Sequence, residues 1–185
     1  MPAANQQVIN FSQLTKALQA THSKKSLPKA IVNEPFHQPL AAAYLFLGFI
    51  VLYIVAEDGD TVQLSGVSDT EYYEMSVSGY KFSPSQFKLS LAKDTDNTIV
   101  EAISTGQPQE TTDWRTLRRS WADPVKTNLN QANSGISRTI IYPLDIPHGG
   151  ALMFCYYQYD NLLSEGQRDF MKRYCQITSE VLKNL

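Results

Sequence analysis

Cysteine is scarce in this chain. Two residues, Cys155 and Cys175, stand in a sequence of 185. Two cysteines do not make the disulfide framework of a small secreted scaffold, so a reducing cytoplasm is the expected compartment. Charge of one sign is also missing. A net charge of -2 excludes the strongly basic footprint that nucleic acid selects, and no nucleic-acid partner is expected. The three histidines, His22, His37 and His148, are scattered, with no carboxylate or cysteine at metal-ligand spacing, so neither metal nor haem is expected. There is no glycine-rich phosphate loop and no G-x-S-x-G elbow. No charged-then-apolar leader opens the chain. Internal repeats and low-complexity linkers are absent too.

One long apolar run is present, Leu40–Ala56 (LAAAYLFLGFIVLYIVA). A spanning helix wants roughly 20 such residues, and shorter runs are more often buried core. Gly48 divides the run into unlike halves. Leu40–Leu47 is rich in alanine and leucine, which favour helix. Phe49–Val55 is β-branched and aromatic, which favours strand. Asp58-Gly59 then signals a two-residue hairpin turn, and Thr61–Ser65 continues with period two. Helix, glycine stop, strand, turn and strand account for every residue of the stretch. A membrane span accounts only for its apolarity, so no membrane partner is expected.

The remaining chain suits one globular domain over residues 10–185, after a flexible start at 1–9. Apolar residues at 43% and charged residues at 18% are ordinary globular values, and the length suffices for a substantial core. Asn10 with Gln13 resembles a capping box ahead of Phe11, Leu14 and Leu18. Lys24, Lys25 and Pro28 are expected to end that helix, and the helix leading into Leu47 starts anew near Gln38. Ser68–Tyr80 reads as a short helix and turn. Phe87, Leu89 and Leu91 alternate as in a strand. Asn97–Ser104 is a short helix closed by Gly106. Asp113–Asn133 is helical or mixed, broken by Pro124. Ile136–Leu144 and Ala151–Tyr157 are two strands joined by Asp145–Gly150. Ser164 and Gln167 form a capping-box pattern before a helix whose stripe is Phe170, Tyr174, Ile177, Val181 and Leu185. The pattern predicts an α+β fold with an antiparallel sheet.

Four segments together resemble a GAF domain. They are the helix entering a buried hairpin at Phe49–Ser65, Asn97–Asp113 (NTIVEAISTGQPQETTD), Gly135–Leu144 followed by Gly149–Tyr157, and the closing helix after Leu163-Ser164-Glu165. The resemblance covers about residues 10 to 185. It implies a PAS/GAF-type central antiparallel sheet with terminal helices on one face and short helices and loops closing a small-molecule pocket on the other. It further implies a sensor that signals through its terminal helices, often as a homodimer.

Within that frame Asp113–Trp121 (DWRTLRRSW) is the most informative polar segment. If helical, it sets Trp114, Leu117 and Trp121 on one face, with Arg115, Arg118 and Arg119 beside it. Arginine can clamp an anion in bidentate fashion and tryptophan can stack on a ring. The competing reading is an amphipathic helix with its tryptophans in the core. Tyr72, Tyr73, Tyr80 and Phe82 could line the same pocket or simply pack. The expected binding set is Tyr72, Tyr80, Phe87, Trp114, Arg115, Arg118, Trp121 and Arg138, walled by the Tyr72–Phe87 region, the Trp114–Trp121 segment and the Ile136–Tyr142 strand. Cys155 falls inside a strand pattern and should be inert, while the exposure of Cys175 is open. No cysteine lies between Thr70 and Gly150, which disfavours the bilin attachment of some relatives. The pocket cysteines of GAF-type methionine sulfoxide reductases and the Asn-Lys…Phe…Asp-Glu signature of cyclic-nucleotide binders are absent as well.

These observations predict a non-catalytic, cytoplasmic, GAF-like regulatory domain that binds a small molecule or a signalling protein. No cofactor and no catalytic residue are expected. The alternative is a dimerisation or interaction module with a collapsed pocket, which exposed apolar residues on Phe11–Leu18 and Phe170–Leu185 would support. An enzyme on this fold could be built only around Cys155 with Arg138.

Overall fold

The strand β1, Leu47–Val55, is buried along almost its whole length. Successive side chains of a strand point to opposite faces. Ile50 and Leu52 therefore join one apolar layer, and Phe49, Val51, Tyr53 and Val55 join another. A strand covered on both sides must be apolar at nearly every position, which is why this stretch looks like a short membrane span. Among the described residues, no helix is long and apolar enough to cross a membrane. The computed structural model describes residues 9–21, 23–78, 87–118, 122–157 and 162–184.

Six strands form one sheet in the order β3-β2-β1-β6-β5-β4, and every neighbouring pair is antiparallel. They are β1, β2 (Thr61–Val67), β3 (Lys88–Ser90), β4 (Gln109–Thr111), β5 (Arg138–Pro143) and β6 (Gly150–Tyr156). On one face lie the helices α1 (Phe11–Gln19), α2 (Leu27–Asn33) and α8 (Glu165–Lys183), packed on Ile50, Leu152 and Phe154. Four helices cover the other face: α4 (Glu71–Ser76), α5 (Thr98–Thr105), α6 (Arg115–Arg118) and α7 (Pro124–Ser134). The expected α+β architecture, terminal helices on one side and short helices on the other, is the one observed.

Several local details differ from expectation. The helix α3 (Pro39–Tyr44) ends before Gly48, and the chain turns at Phe46, whose φ is 54°. Gly48 is no helix stop. It is the extra residue where the β1–β6 register slips between Leu47 and Phe49. A Cβ at that position would lie 2.7 Å from Ile136 Cδ1 and 3.3 Å from the Cys155 carbonyl oxygen. The β1–β2 turn is also longer than two residues. Ala56 N donates to Thr61 O at 2.8 Å, so Glu57–Asp60 form the loop, with Gly59 at φ 73°. Asp58 holds it by accepting from Asp60 N at 2.9 Å, Thr61 N at 2.8 Å and Thr61 Oγ1 at 2.6 Å. These bonds lower the Asp58 carboxyl to about 2.

Prolines open helices here more than they end them. Pro28 lies in the first turn of α2, and Pro124 in the first turn of α7, where Asp123 caps. The Asn10 capping box is half formed. Asn10 Oδ1 accepts from Gln13 N, but its backbone N–H donates to Gln38 Oε1 rather than to Gln13. At α8 the box is complete, and buried Gln167 does more. Its Nε2 donates to Leu45 O at 2.8 Å, tying the start of α8 to the turn before β1. On the α8 stripe Phe170, Tyr174 and Val181 are buried, and Ile177 packs at the edge. Leu185 lies outside the described residues. Leu14, Leu18, Phe170 and Tyr174 are all spent inside this one chain, so the apolar faces of α1 and α8 are not available as an exposed patch. Exposed apolar side chains among the described residues sit elsewhere, chiefly Leu40, Leu162 and Val125.

A Cβ at Gly66 would meet the Pro28 carbonyl oxygen at 2.7 Å, because α2 rests directly on the β2 backbone. Gly66→Ala should cost about 1–3 kcal/mol by overpacking, read as a lower urea midpoint with unchanged m-value. Asp58→Ala should lower stability at neutral pH. The folded carboxyl titrates below the unfolded one, so its contribution is complete above about pH 4 and is lost as pH falls through about 2. Midpoints of the two proteins should therefore converge on acidification, and a constant gap would contradict the loop's role.

Candidate functional site

The face of the sheet opposite the terminal helices carries a small cavity. Its floor is Phe49, Val51 and Tyr53 of β1 with Met153 of β6. Leu64 and Phe87 close the sides, and Tyr73, Val77, Trp114 and Leu117 supply the roof. Arg118 stands at its rim. The free volume is about 40 Å³. That holds a few waters, whereas a drug-sized ligand pocket is roughly 300–1,000 Å³.

Polar ties set the roof in place. Thr70 caps α4 by accepting from Tyr73 N at 3.3 Å, and its hydroxyl donates to Gly48 O at 2.9 Å. The same residue thus starts the helix and pins it across the bulged end of β1. The turn α6 is anchored from three sides. Trp114 N donates to Gln131 Oε1 at 2.9 Å. Trp114 Nε1 donates to Thr139 Oγ1 at 2.9 Å. Buried Asn97, the cap of α5, donates from Nδ2 to Leu117 O at 2.9 Å. The indole itself meets Phe49 edge-on, with centroids 6.1 Å apart.

Arg118 links the two roof elements. Its guanidinium carbon lies 4.7 Å above the Trp114 ring. Nη1 and Nη2 donate to Ser76 O, the last residue of α4, at 3.3 and 3.4 Å. Its charge also bears on the hydroxyls and thiol below. Burial pushes the Tyr53 hydroxyl far up, with Cys155 adding to the shift and Arg118 opposing it. Burial raises Tyr73 too, again against Arg118. Both phenols are therefore protonated donors at neutral pH. Tyr53 Oη has the Met153 sulfur at 4.0 Å, a weak acceptor. Cys155 is pushed up to about 12 by burial, opposed by its contact with Thr139 Oγ1 and by Arg118. Burial raises Cys175 as well.

The expected site residues part company. Phe87, Trp114 and Arg118 come together at the cavity. Tyr72 does not line it. Its ring stacks on Tyr157 at 4.7 Å and 3° on the other side of α4. Arg115 turns outward to Asp113, with Nη2 2.6 Å from Oδ2. Arg138 pairs across the strands with Glu110 at 2.6 Å. Tyr80 and Trp121, with Phe82 and Arg119, lie outside the described residues. Trp114 and Leu117 share a buried side, as the spacing predicts, though α6 is a single turn. The wall assigned to Ile136–Tyr142 is supplied instead by β1 and β6, the two strands at the middle of the sheet. Tyr53 and Met153 were absent from the expected set. Alternation along β1 and β6 was the available signal, because Phe49, Val51 and Tyr53 share a face, as do Met153 and Cys155. Among the described residues no group of three or more histidine, cysteine, aspartate or glutamate side chains could hold a metal ion.

No protein-family model and no curated protein matches this sequence. Solved structures do. The GAF domain of an Acinetobacter phosphoenolpyruvate-protein phosphotransferase superposes with a TM-score of 0.63 at 13% identity, over 98% of this chain and 95% of that one. A phycocyanobilin-bound GAF domain from a cyanobacterial phytochrome gives 0.58 at 14% identity, over 95% of each chain. Residues 122 to 287 of a methyl-accepting chemotaxis protein give 0.57 at 13% identity, over 91% and 94%. Identities this low speak to architecture alone, an antiparallel sheet with helices. The chain has the GAF-domain fold.

Proposed function

We propose that this chain is a non-catalytic sensor or regulatory domain, with residues 10–185 acting as one unit and the cavity beneath α4 and α6 as its input. The observation that carries the reading is the cavity itself. It is walled by aromatic and aliphatic side chains, it has a guanidinium at its rim, and it lies on the face away from the terminal helices. On this reading the terminal helices, packed on the opposite face, carry the output to a signalling partner or a second copy. Similar architecture in a chemotaxis protein and a phytochrome agrees with a sensing role. The scarcity of cysteine supports a cytoplasmic setting. A cavity of about 40 Å³ also favours a second reading, an interaction module whose pocket is filled by its own side chains.

Chemistry at the site argues against an enzyme built on a thiol. The thiolate is the nucleophile, and burial holds Cys155 at about 12, where almost none forms at neutral pH. Arg138 is engaged by Glu110 rather than by Cys155. Both cysteines should resist Ellman's reagent in the native protein at pH 8 and react fully in denaturant. Rapid labelling of Cys155 in the native state would reopen the thiol reading.

Native mass spectrometry, compared with the same sample denatured, tests the sensor proposal. The expected result is an added mass that is lost on denaturation. A bare mass, with no thermal shift from a library of small metabolites, would transfer the assignment to the interaction module. The dimer fraction in the same spectrum reports on assembly.

A further inference from the structure

We infer that the cavity is a peroxide site, in which Met153 is the reacting sulfur and the Tyr53 hydroxyl is the donor that promotes its oxidation to the sulfoxide. The inference takes from the sensor reading only that the cavity admits a small molecule. Two side chains of the floor carry it. They stand on the two central strands, where Met153 pairs with Val51 and Tyr53 is its diagonal neighbour on the same face. Both are buried, Met153 at 7% exposure and Tyr53 at 4%. Among the described residues the Tyr53 hydroxyl has one hydrogen-bond partner, the Met153 sulfur at 4.0 Å. A thioether is a weak acceptor, and a buried hydroxyl served only by one costs free energy. An oxygen brought into the cavity beside both would satisfy the hydroxyl and touch the sulfur. The free volume sets the size of the molecule that brings it. About 40 Å³ exceeds the roughly 10–15 Å³ that one water needs and falls short of the roughly 150 Å³ of a cavity that takes benzene. Hydrogen peroxide fits and a ring does not. Leu64, Tyr73 and Val77 of the lining are half-buried, so the cavity reaches toward solvent there. Hydrogen peroxide is uncharged at neutral pH, so apolar walls impose no charge-desolvation barrier to its entry.

The chemistry is an oxygen transfer. The sulfur lone pair attacks one peroxide oxygen, so the S–O bond forms as the O–O bond breaks. The leaving oxygen takes the bonding pair. It gains the proton of the transferred oxygen and departs as water. Sulfur is oxidised by two electrons and the peroxide is reduced by the same two. Tyr53 donates a hydrogen bond to the leaving oxygen while negative charge develops on it, and Tyr53 ends the step protonated. Burial holds this phenol far above its ordinary titration range, so the donor is present at neutral pH. The sulfoxide oxygen then replaces the thioether as a stronger acceptor for Tyr53. It also occupies space beneath Tyr73 and Trp114, which ties the modification to the roof. The reaction is a single change to the chain, without turnover, and methionine sulfoxide reductases reverse such a change.

Hydrogen peroxide added to the whole native protein, with each methionine followed by peptide mass spectrometry, tests the inference. Two methionines serve as internal references. Met171, 2% exposed, is buried in the layer on the opposite face, and Met75 is 38% exposed. Met153 should oxidise at least about tenfold faster than Met171. Tyr53→Phe should slow Met153 about tenfold, the rate equivalent of one hydrogen bond made in the transition state, and leave Met75 and Met171 unchanged. In the unaltered protein, tert-butyl hydroperoxide, too bulky for the cavity, should oxidise Met75 and spare Met153. Met153 reacting no faster than Met171 would overturn the inference. So would a Met153 rate that Tyr53→Phe leaves untouched, or one that the bulky peroxide matches. Each of these failures leaves the sensor reading to the native mass comparison, in which Met153 plays no part. Circular dichroism confirms that the variant is folded before its rates are read. Should it not fold, the Met153-to-Met171 ratio and the bulky peroxide decide the question in the unaltered protein.

Discussion

Burial of β1 on both faces is the constraint on which the rest of the molecule depends. The strand pairs with β2 on one side and β6 on the other, so its backbone is satisfied within the sheet. Its side chains then have to be covered twice. One cover is made by α1, α2 and α8, and the other by the short helices around the cavity. Several elements are tied to this strand directly. Gln167 ties α8 to the turn just before it, Thr70 ties α4 to its bulge, and buried Ser68 ties α2 to its middle by bonding Ile50 N and Val32 O.

The two covers are built differently. The terminal helices meet the sheet through a continuous apolar layer, with Phe154, Phe170 and Tyr174 in direct ring contact. Such a layer is stiff, because close-packed interiors tolerate little change of volume. The opposite cover is assembled from single turns and short helices held by side-chain hydrogen bonds to backbone groups. A net contribution of about 1 kcal/mol per such bond makes each tie easy to exchange for another. The small cavity lies within this looser layer.

Much of this was legible in the residues. Strong local signals were read correctly where one residue type does one job: Asn97 and Gly106 bracketing α5, Ser164 and Gln167 boxing the start of α8, alternation through Phe87 and Leu89. Proline misled, because the same missing N–H that ends one helix suits the first turn of the next, as at Pro28 and Pro124. Arginine misled in the site. Arg115, Arg118 and Arg138 look equivalent in the sequence, yet Asp113 takes the first, Glu110 the third, and only the second faces the cavity.

By itself the sequence determined the periodicities, the caps and the order of elements, and from these the α+β class and the GAF-like arrangement could be read. Those are local properties, encoded in neighbours three or four positions apart. Only packing in three dimensions makes Gly48 a bulge and floors the cavity with Tyr53 and Met153. Residues a hundred positions apart meet there, and whether a side chain faces space, a partner or another ring depends on packing that no local pattern carries.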